Sequence, residues 1–300
     1  GSNDVYFHLD PLWSNANIDF IGIDWYVPVT DWRDESGHLD AAEGWDSIYN
    51  LDYLKSRIQG GEDYDWYYAS ELDRDNQVRT PIVDSAEGKH WVFRQKDVVN
   101  WWRNAHYNRP SGVESGSSTA WIPESKPVWF VEVGVPAVDK GTNQPNVFFD
   151  PKSSESFLPR YSTGVRDDYI QYQFLRAFYE YWSDNANNPA SSEYSGRMTN
   201  MNRACVWNWD ARPYPAYPNN DDAWSDGDLW WQGHWMTGRL SQVPLYRFIE
   251  HASRHLGCSS TLLVCTVSFV GTCSPTRCLY AMRWQRCSWH STSMPTSRKV

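Results

Sequence analysis

The chain has 300 residues, 41% of them hydrophobic and 21% charged, enough for one large domain or two small ones and outside the range of disordered sequences. A formal charge of −10 excludes nucleic acid as a partner, because phosphate binding needs a basic stripe. No stretch approaches the 18 apolar residues of a membrane span, and the opening residues lack the basic and apolar regions of a signal peptide.

In chain order, Ile18 to Tyr26 is the first expected strand: an apolar run rich in β-branched and aromatic residues, stopped by Val27-Pro28. Apolar residues at both parities suit a strand buried on both faces, as in a parallel sheet. A short helix is expected from Ile48 to Ile58. Residues 60–125 exceed a normal crossover and read as a polar insertion carrying Tyr64, Trp66, Tyr67, Tyr68, Trp91, Trp101 and Trp102. A second strand is expected over Lys126–Gly134, closed by Val135-Pro136. A long loop follows over Gly141–Arg166, and then a helix that starts at Asp167 and Asp168. Its apolar face includes Ile170, Phe174, Phe178 and Trp182. The third expected strand is Ala204–Asp210. Strand, helix, strand, helix, strand is the α/β pattern of a parallel sheet.

The C-terminal part differs in composition. No Asp or Glu follows Glu250, while six cations do, leaving 21 cations against 37 acids before it, a formal −16. Five of the six cysteines, Cys258, Cys265, Cys273, Cys278 and Cys287, lie there as well. A disulfide module meets an odd cysteine count, and a zinc site meets Cys273 and Cys278 without a paired knuckle. A shifted reading frame near the end of a gene fragment accounts best for the abrupt loss of acids. The expected organisation is a domain over 1–257, with the insertion at 60–125, and a tail over 258–300 outside the fold.

Each expected strand ends in a polar or acidic residue next to a chain breaker. Glu132, between Val131 and Val133, is the sharpest candidate, since a carboxylate in apolar company is costly to desolvate unless partnered or set at an open mouth. Asp24, beside Trp25 and Tyr26, ends the first strand, and Asp210 ends the third beside Trp207 and Trp209. Such acids, hedged by aromatic rings, suit a sugar ring and an oxocarbenium-like charge. They equally suit structural pairing with Arg33, Arg203 or Arg212. The 19 Trp and 18 Tyr against 11 Phe fit a partly wet cleft or a large barrel with aromatic loops.

Other chemistries lack their motifs. There is no His-Glu-x-x-His, and His8, His38, His90 and His106 are scattered; Gly-x-Ser-x-Gly, the P-loop and the dinucleotide fingerprint are also missing. Neither a metal nor a cofactor is expected, and catalysis would run on carboxylates.

Ile18-Asp-Phe-Ile-Gly-Ile-Asp-Trp-Tyr26 and Lys126-Pro-Val-Trp-Phe-Val-Glu-Val-Gly134 resemble the sixth and seventh strands of retaining glycosidases with (β/α)8 barrels, where the second motif's glutamate is the nucleophile. More closely, residues 4 to about 256 resemble the TIM-barrel-like, glycoside-hydrolase-like domain of bacterial gene transfer agents, which are phage-like particles. That likeness is carried by Val5-Tyr-Phe-His-Leu-Asp-Pro-Leu-Trp13, Asp65-Trp-Tyr-Tyr-Ala-Ser70 and Pro136-Ala-Val-Asp-Lys-Gly-Thr-Asn-Gln-Pro-Asn-Val147. Asp150-Pro-Lys-Ser-Ser-Glu-Ser156 and Trp209-Asp-Ala-Arg-Pro-Tyr-Pro215 follow the same pattern.

The resemblance implies a tail-tip protein made in the bacterial cytoplasm and assembled with other tail proteins into a particle that meets or cuts a cell-envelope glycan. It implies Glu132 as nucleophile, with Asp24, Tyr26, Trp207, Trp209 and Asp210 lining the sugar site. It also implies that the general acid ends a fourth strand, upstream of Gly1. The chain would then hold about strands five to eight, a partial (β/α)8 barrel unable to turn over alone. Two departures stand out: Asp24-Trp25-Tyr26 where the family usually has Asp-Asn-Tyr, and Val131-Glu132-Val133-Gly134-Val135-Pro136 where it has Thr-Glu-Leu-Gly-Cys-Pro. The competing expectation is a non-catalytic receptor-binding or structural barrel of the particle tail, with adhesion carried by the aromatic insertion.

Overall fold

The computed structural model describes residues 4–147, 156–207, 216–224 and 227–228, and the backbone of 269–274 and 277–282. The chain divides into two compact units, Gly1–Gln242 and Val243–Val300.

The first unit begins with helix α1 (Asp10–Trp13) and strand β1 (Ile21–Trp25), followed by the short helices α2 (Leu39–Ala42) and α3 (Leu51–Ser56). Strand β2 (Trp66–Tyr67), helix α4 (Glu71–Asp75), strand β3 (Thr80–Pro81) and helix α5 (Val98–Arg103) lie in or beside the expected insertion, where β2 and β3 pair antiparallel. Strand β4 (Val128–Val133) and helix α6 (Asp168–Ser183) complete the framework.

β1 and β4 are parallel neighbours. On the other edge of β4 a third parallel segment bridges at Val206 with Val133. Of the expected strand 204–210, residues 208–210 lie outside the described ones. The described strands form no closed barrel.

α6 covers one face of this sheet. Asp167 caps it, its carboxylate accepting from the backbone N–H groups of Tyr169 and Ile170. Ile170, Phe174, Phe178 and Trp182, spaced by one turn, are all fully buried. The Phe178 ring lies 5.0 Å from Trp25 and 4.9 Å edge-on from Phe130, and Trp182 lies 5.4 Å from Phe130. Each such ring contributes roughly 2–3 kcal/mol by burial, so this contact line is the chief apolar glue of the sheet.

The expectation that β1 is buried on both faces is corrected. Ile21 and Trp25 are buried, but Gly22 and Asp24 are exposed. α6 lies on the Trp25 side, and the opposite side holds a glycine and an acid rather than a second apolar layer. The helix expected over 48–58 is also shorter, because Asn50 accepts from the N–H groups of Asp52 and Tyr53 and starts the helix at Leu51.

The insertion is less polar inside than its sequence implies. His106 is fully buried, its ring stacked on Phe7 at 4.3 Å and Trp121 at 5.6 Å. Its Nδ1 lies 2.8 Å from Asp10 Oδ2 and its Nε2 lies 2.7 Å from the Trp101 carbonyl. Lys96, also fully buried, donates to the carbonyls of Arg57 and Gly60 at 3.0 Å each, satisfying oxygens just past the end of α3. Burial brings its amine down to about 7, against the opposing pull of Asp63 and Glu62.

In the second unit, strands β5 (Phe269–Ser274) and β6 (Arg277–Met282) form an antiparallel hairpin. This regular pairing was not apparent in the composition of the tail.

Candidate functional site

The site follows from an irregularity in the sheet. Ile23 pairs with Phe130 and Asp24 pairs with Glu132, so Val131 has no partner of its own on β1. The other edge repeats the pattern. Cys205 donates its N–H to the Phe130 carbonyl at 2.8 Å and accepts from the Val133 N–H at 3.1 Å, spanning Val131 and Glu132 with one residue. This is a β-bulge. In a regular strand Val128, Phe130 and Glu132 would share one face, and Glu132 would lie against α6. The bulge resets the alternation: Val128, Phe130 and Val133 are fully buried, while Val131 and Glu132 are half-buried. Gly22 leaves room beside it, since a Cβ there would meet both Val131 methyl groups at 3.4 Å.

Glu132 thereby leaves the helix-packed side. Tyr26, just beyond β1, donates its hydroxyl to Glu132 Oε2 at 3.0 Å. Burial, that hydrogen bond, and the charges of Glu132 and Asp24 push the Tyr26 phenol well above its usual range, so it stays a donor. The structure therefore brings three expected site residues together: Glu132, its register partner Asp24, and Tyr26. Trp207 sits one residue past the bridging Val206, its N–H bonded to the Val133 carbonyl at 2.9 Å, and is 41% exposed. Trp209 and Asp210 lie outside the described residues.

Pairing of Glu132 with an arginine is not what the described residues form. Arg33 bonds Asp31 at 3.1 Å, and Arg203 lies over the Trp129 ring at 5.0 Å; Arg212 lies outside the described residues. The contrast with other acids is sharp. Asp31 holds Arg33 and Arg79, Asp40 holds Arg57 and Arg79, Glu62 holds Arg74, and Asp84 holds Arg109. Among the described residues, neither Glu132 nor Asp24 takes part in an ion pair.

Among the described residues, no group of three or more His, Cys, Asp or Glu is arranged to hold a metal, and no helix is long and apolar enough to cross a membrane. A small cavity lies away from Glu132, lined in part by Thr30, Asp31, Asp40, Arg57, Glu62 and Lys96. It belongs to the interior of the arginine network, not to an open cleft.

Parallel strands joined through a packed helix, with two acids side by side at their C-terminal ends, define an α/β domain of the (β/α) type. Residues 1–218 match the GTA TIM-barrel-like domain, and the chain belongs to that family. A comparison with curated proteins finds no match.

Proposed function

We propose that this chain is a glycoside-hydrolase-like domain of a gene transfer agent, carried in the tail of a phage-like particle and acting on a cell-envelope glycan. In this reading β1, β4 and the 204–207 segment belong to the second half of a (β/α)8 barrel, about strands five to eight. Glu132 is the retaining nucleophile, and Asp24, Tyr26, Trp207, Trp209 and Asp210 line the sugar site. Other tail proteins of the particle are its partners.

The observation that carries the proposal is the bulge. It turns an ion-pair-free carboxylate away from the helix layer and leaves it held by one hydroxyl. A structural acid would be compensated by a cation, as Asp31, Asp40, Glu62 and Asp84 are. An unneutralised carboxylate at a strand end is instead available to attack an anomeric carbon and to stabilise the positive charge that develops there. Tyr26 occupies one Glu132 oxygen and so orients the other.

The test is covalent trapping. The full chain is incubated with 2,4-dinitrophenyl 2-deoxy-2-fluoro-glycosides of the gluco and galacto series, and its peptides are then weighed. A sugar adduct on the peptide containing Glu132, absent in Glu132→Gln, supports the proposal. No adduct on that peptide overturns it. Glycan binding retained in that case identifies an adhesive barrel.

A further inference from the structure

The sequence stretch 136–147 is long and unusual, yet it carries none of Glu132, Asp24 or Tyr26. We infer that it positions the site: its turn Gly141–Asn143 clasps the segments leaving β1 and β4 to each other and so holds Tyr26 against Glu132. Asn143 is the central positioning residue, and its bearing on a reaction rests on the reading of Glu132 as nucleophile.

Asn143 uses its whole side-chain amide. Its Oδ1 accepts from the Thr30 hydroxyl at 2.6 Å and from the Trp32 N–H at 2.9 Å. Its Nδ2 donates to the carbonyls of Trp32 at 2.9 Å and Arg160 at 3.0 Å. The side chain thus pairs with the Trp32 backbone much as a neighbouring strand would. Thr142 adds its carbonyl, which accepts from the Val29 N–H at 3.0 Å, and its hydroxyl, 2.8 Å from that of Thr30. Thr30, Thr142 and Asn143 are all buried, so a bond lost among them is not made good by water.

The clasp reaches both strand ends. Trp25 and Val133 are the last register pair of β1 and β4, and beyond them residues 26–33 and 134–136 have no regular secondary structure. On one side the turn holds residues 29–32, just past Tyr26. On the other, a Cβ on Gly141 would collide with the Pro136 carbonyl oxygen and meet a Val135 methyl at 3.2 Å, so the turn lies directly against the residues just past Glu132. The 3.0 Å contact of the Tyr26 hydroxyl with Glu132 is therefore bracketed by the strand ladder and by the clasp. A matched device stands at the other end of β4. Asn188 donates to the Thr199 carbonyl at 2.8 Å and accepts its N–H at 3.0 Å, and Thr199 bridges to Val128.

The test reads the Tyr26–Glu132 contact directly. The full chain is labelled with 3-fluorotyrosine, and the Tyr26 signal in its fluorine NMR spectrum is identified by its loss in Tyr26→Phe. Glu132→Gln shows where that signal moves when the carboxylate is gone. Asn143→Ala is expected to move it in the same direction and to slow labelling of Glu132 by the fluoro-glycosides by roughly 10–10²-fold. Asn188→Ala, a similar loss at the far end of β4, is expected to lower the melting temperature while leaving the signal and the labelling rate in place. Thr30→Val, which removes one hydroxyl of the clasp, gives a smaller shift of the same sign and replaces Asn143→Ala if that variant does not fold. An unmoved Tyr26 signal in the folded clasp variant, or an equal shift in Asn188→Ala, overturns the proposal. The fluorine signal needs no turnover, so a shift in Asn143→Ala without any labelling of Glu132 in the parent chain keeps the clasp and removes the nucleophile.

Discussion

Phe130 and Val133 lie three residues apart in one strand and yet share its buried face, because the bulge at Val131 inserts one extra residue between them. Regular alternation would have put Val133 on the open side and Glu132 in the helix layer. The orientation of the proposed nucleophile is therefore a property of backbone register.

That register has a direct consequence for stability. Val133→Asp introduces an unpaired charge against α6 and should cost about 4 kcal/mol or more. Glu132→Leu, on the open side, should change stability by about 1 kcal/mol or less. Urea midpoints of the two variants check this; the reverse order would mean that the strand is regular.

Lys96 predicts an unusual rise in stability with alkalinity. Burial lowers its folded-state value to about 7 from the ordinary 10.5. Between these values the unfolded chain holds a proton that the folded chain has released, so stability increases with pH across that window. Asp63, Glu62 and Asp65 favour the charged form, and Arg57 opposes it. Lys96→Met should remove this part of the slope. Urea midpoints from pH 7 to 9.5 test it, the upper limit avoiding the tyrosines.

Asp84 acts at the other end of the scale. Burial alone would raise its carboxyl, but Arg109 and the N–H groups of Lys89 and Glu87 outweigh it and bring the value down to about 2. Its stabilising contribution is complete above pH 3.8 and is lost as the pH falls toward 2. Asp84→Asn should be less stable at neutral pH and show a flatter acid limb in thermal melts over that interval.

Arg79 joins three acids, contacting Asp31 at 3.1 Å, Asp40 at 2.7 Å and Glu43 at 2.8 Å. Arg79→Met leaves Asp31 and Asp40 buried with less compensation and should cost about 3–5 kcal/mol. Adding Asp40→Asn should cost less than the sum of the single changes, a coupling that a double-mutant cycle measures.

Much of the framework was legible in the sequence. The apolar spacing of Ile170, Phe174, Phe178 and Trp182 and the cap at Asp167 gave α6 to within a residue, and the apolar runs located β1 and β4. The bulge was harder to read, since the parity of Val128, Phe130 and Glu132 describes an ordinary strand, and only pairing with Asp24 and Cys205 reveals the extra residue. A glutamate at a buried parity was the available signal. The arginine network was hidden for another reason: Arg79 and Asp31 are 48 residues apart, beyond any local pattern. Gly22 and Asp24, by contrast, could have warned against reading β1 as buried on both faces.

Arg160, in the loop that follows Glu132, is paired differently from the acids of the arginine network. Arg160 binds Glu71 of α4, an acid 73% exposed, whereas Asp31 and Asp40 meet their arginines largely out of reach of water. Salt screens exposed pairs and hardly touches buried ones. The two kinds of fastening therefore answer differently to ionic strength: added salt would weaken the Arg160–Glu71 tie while leaving the buried pairs of Asp31 and Asp40 in place.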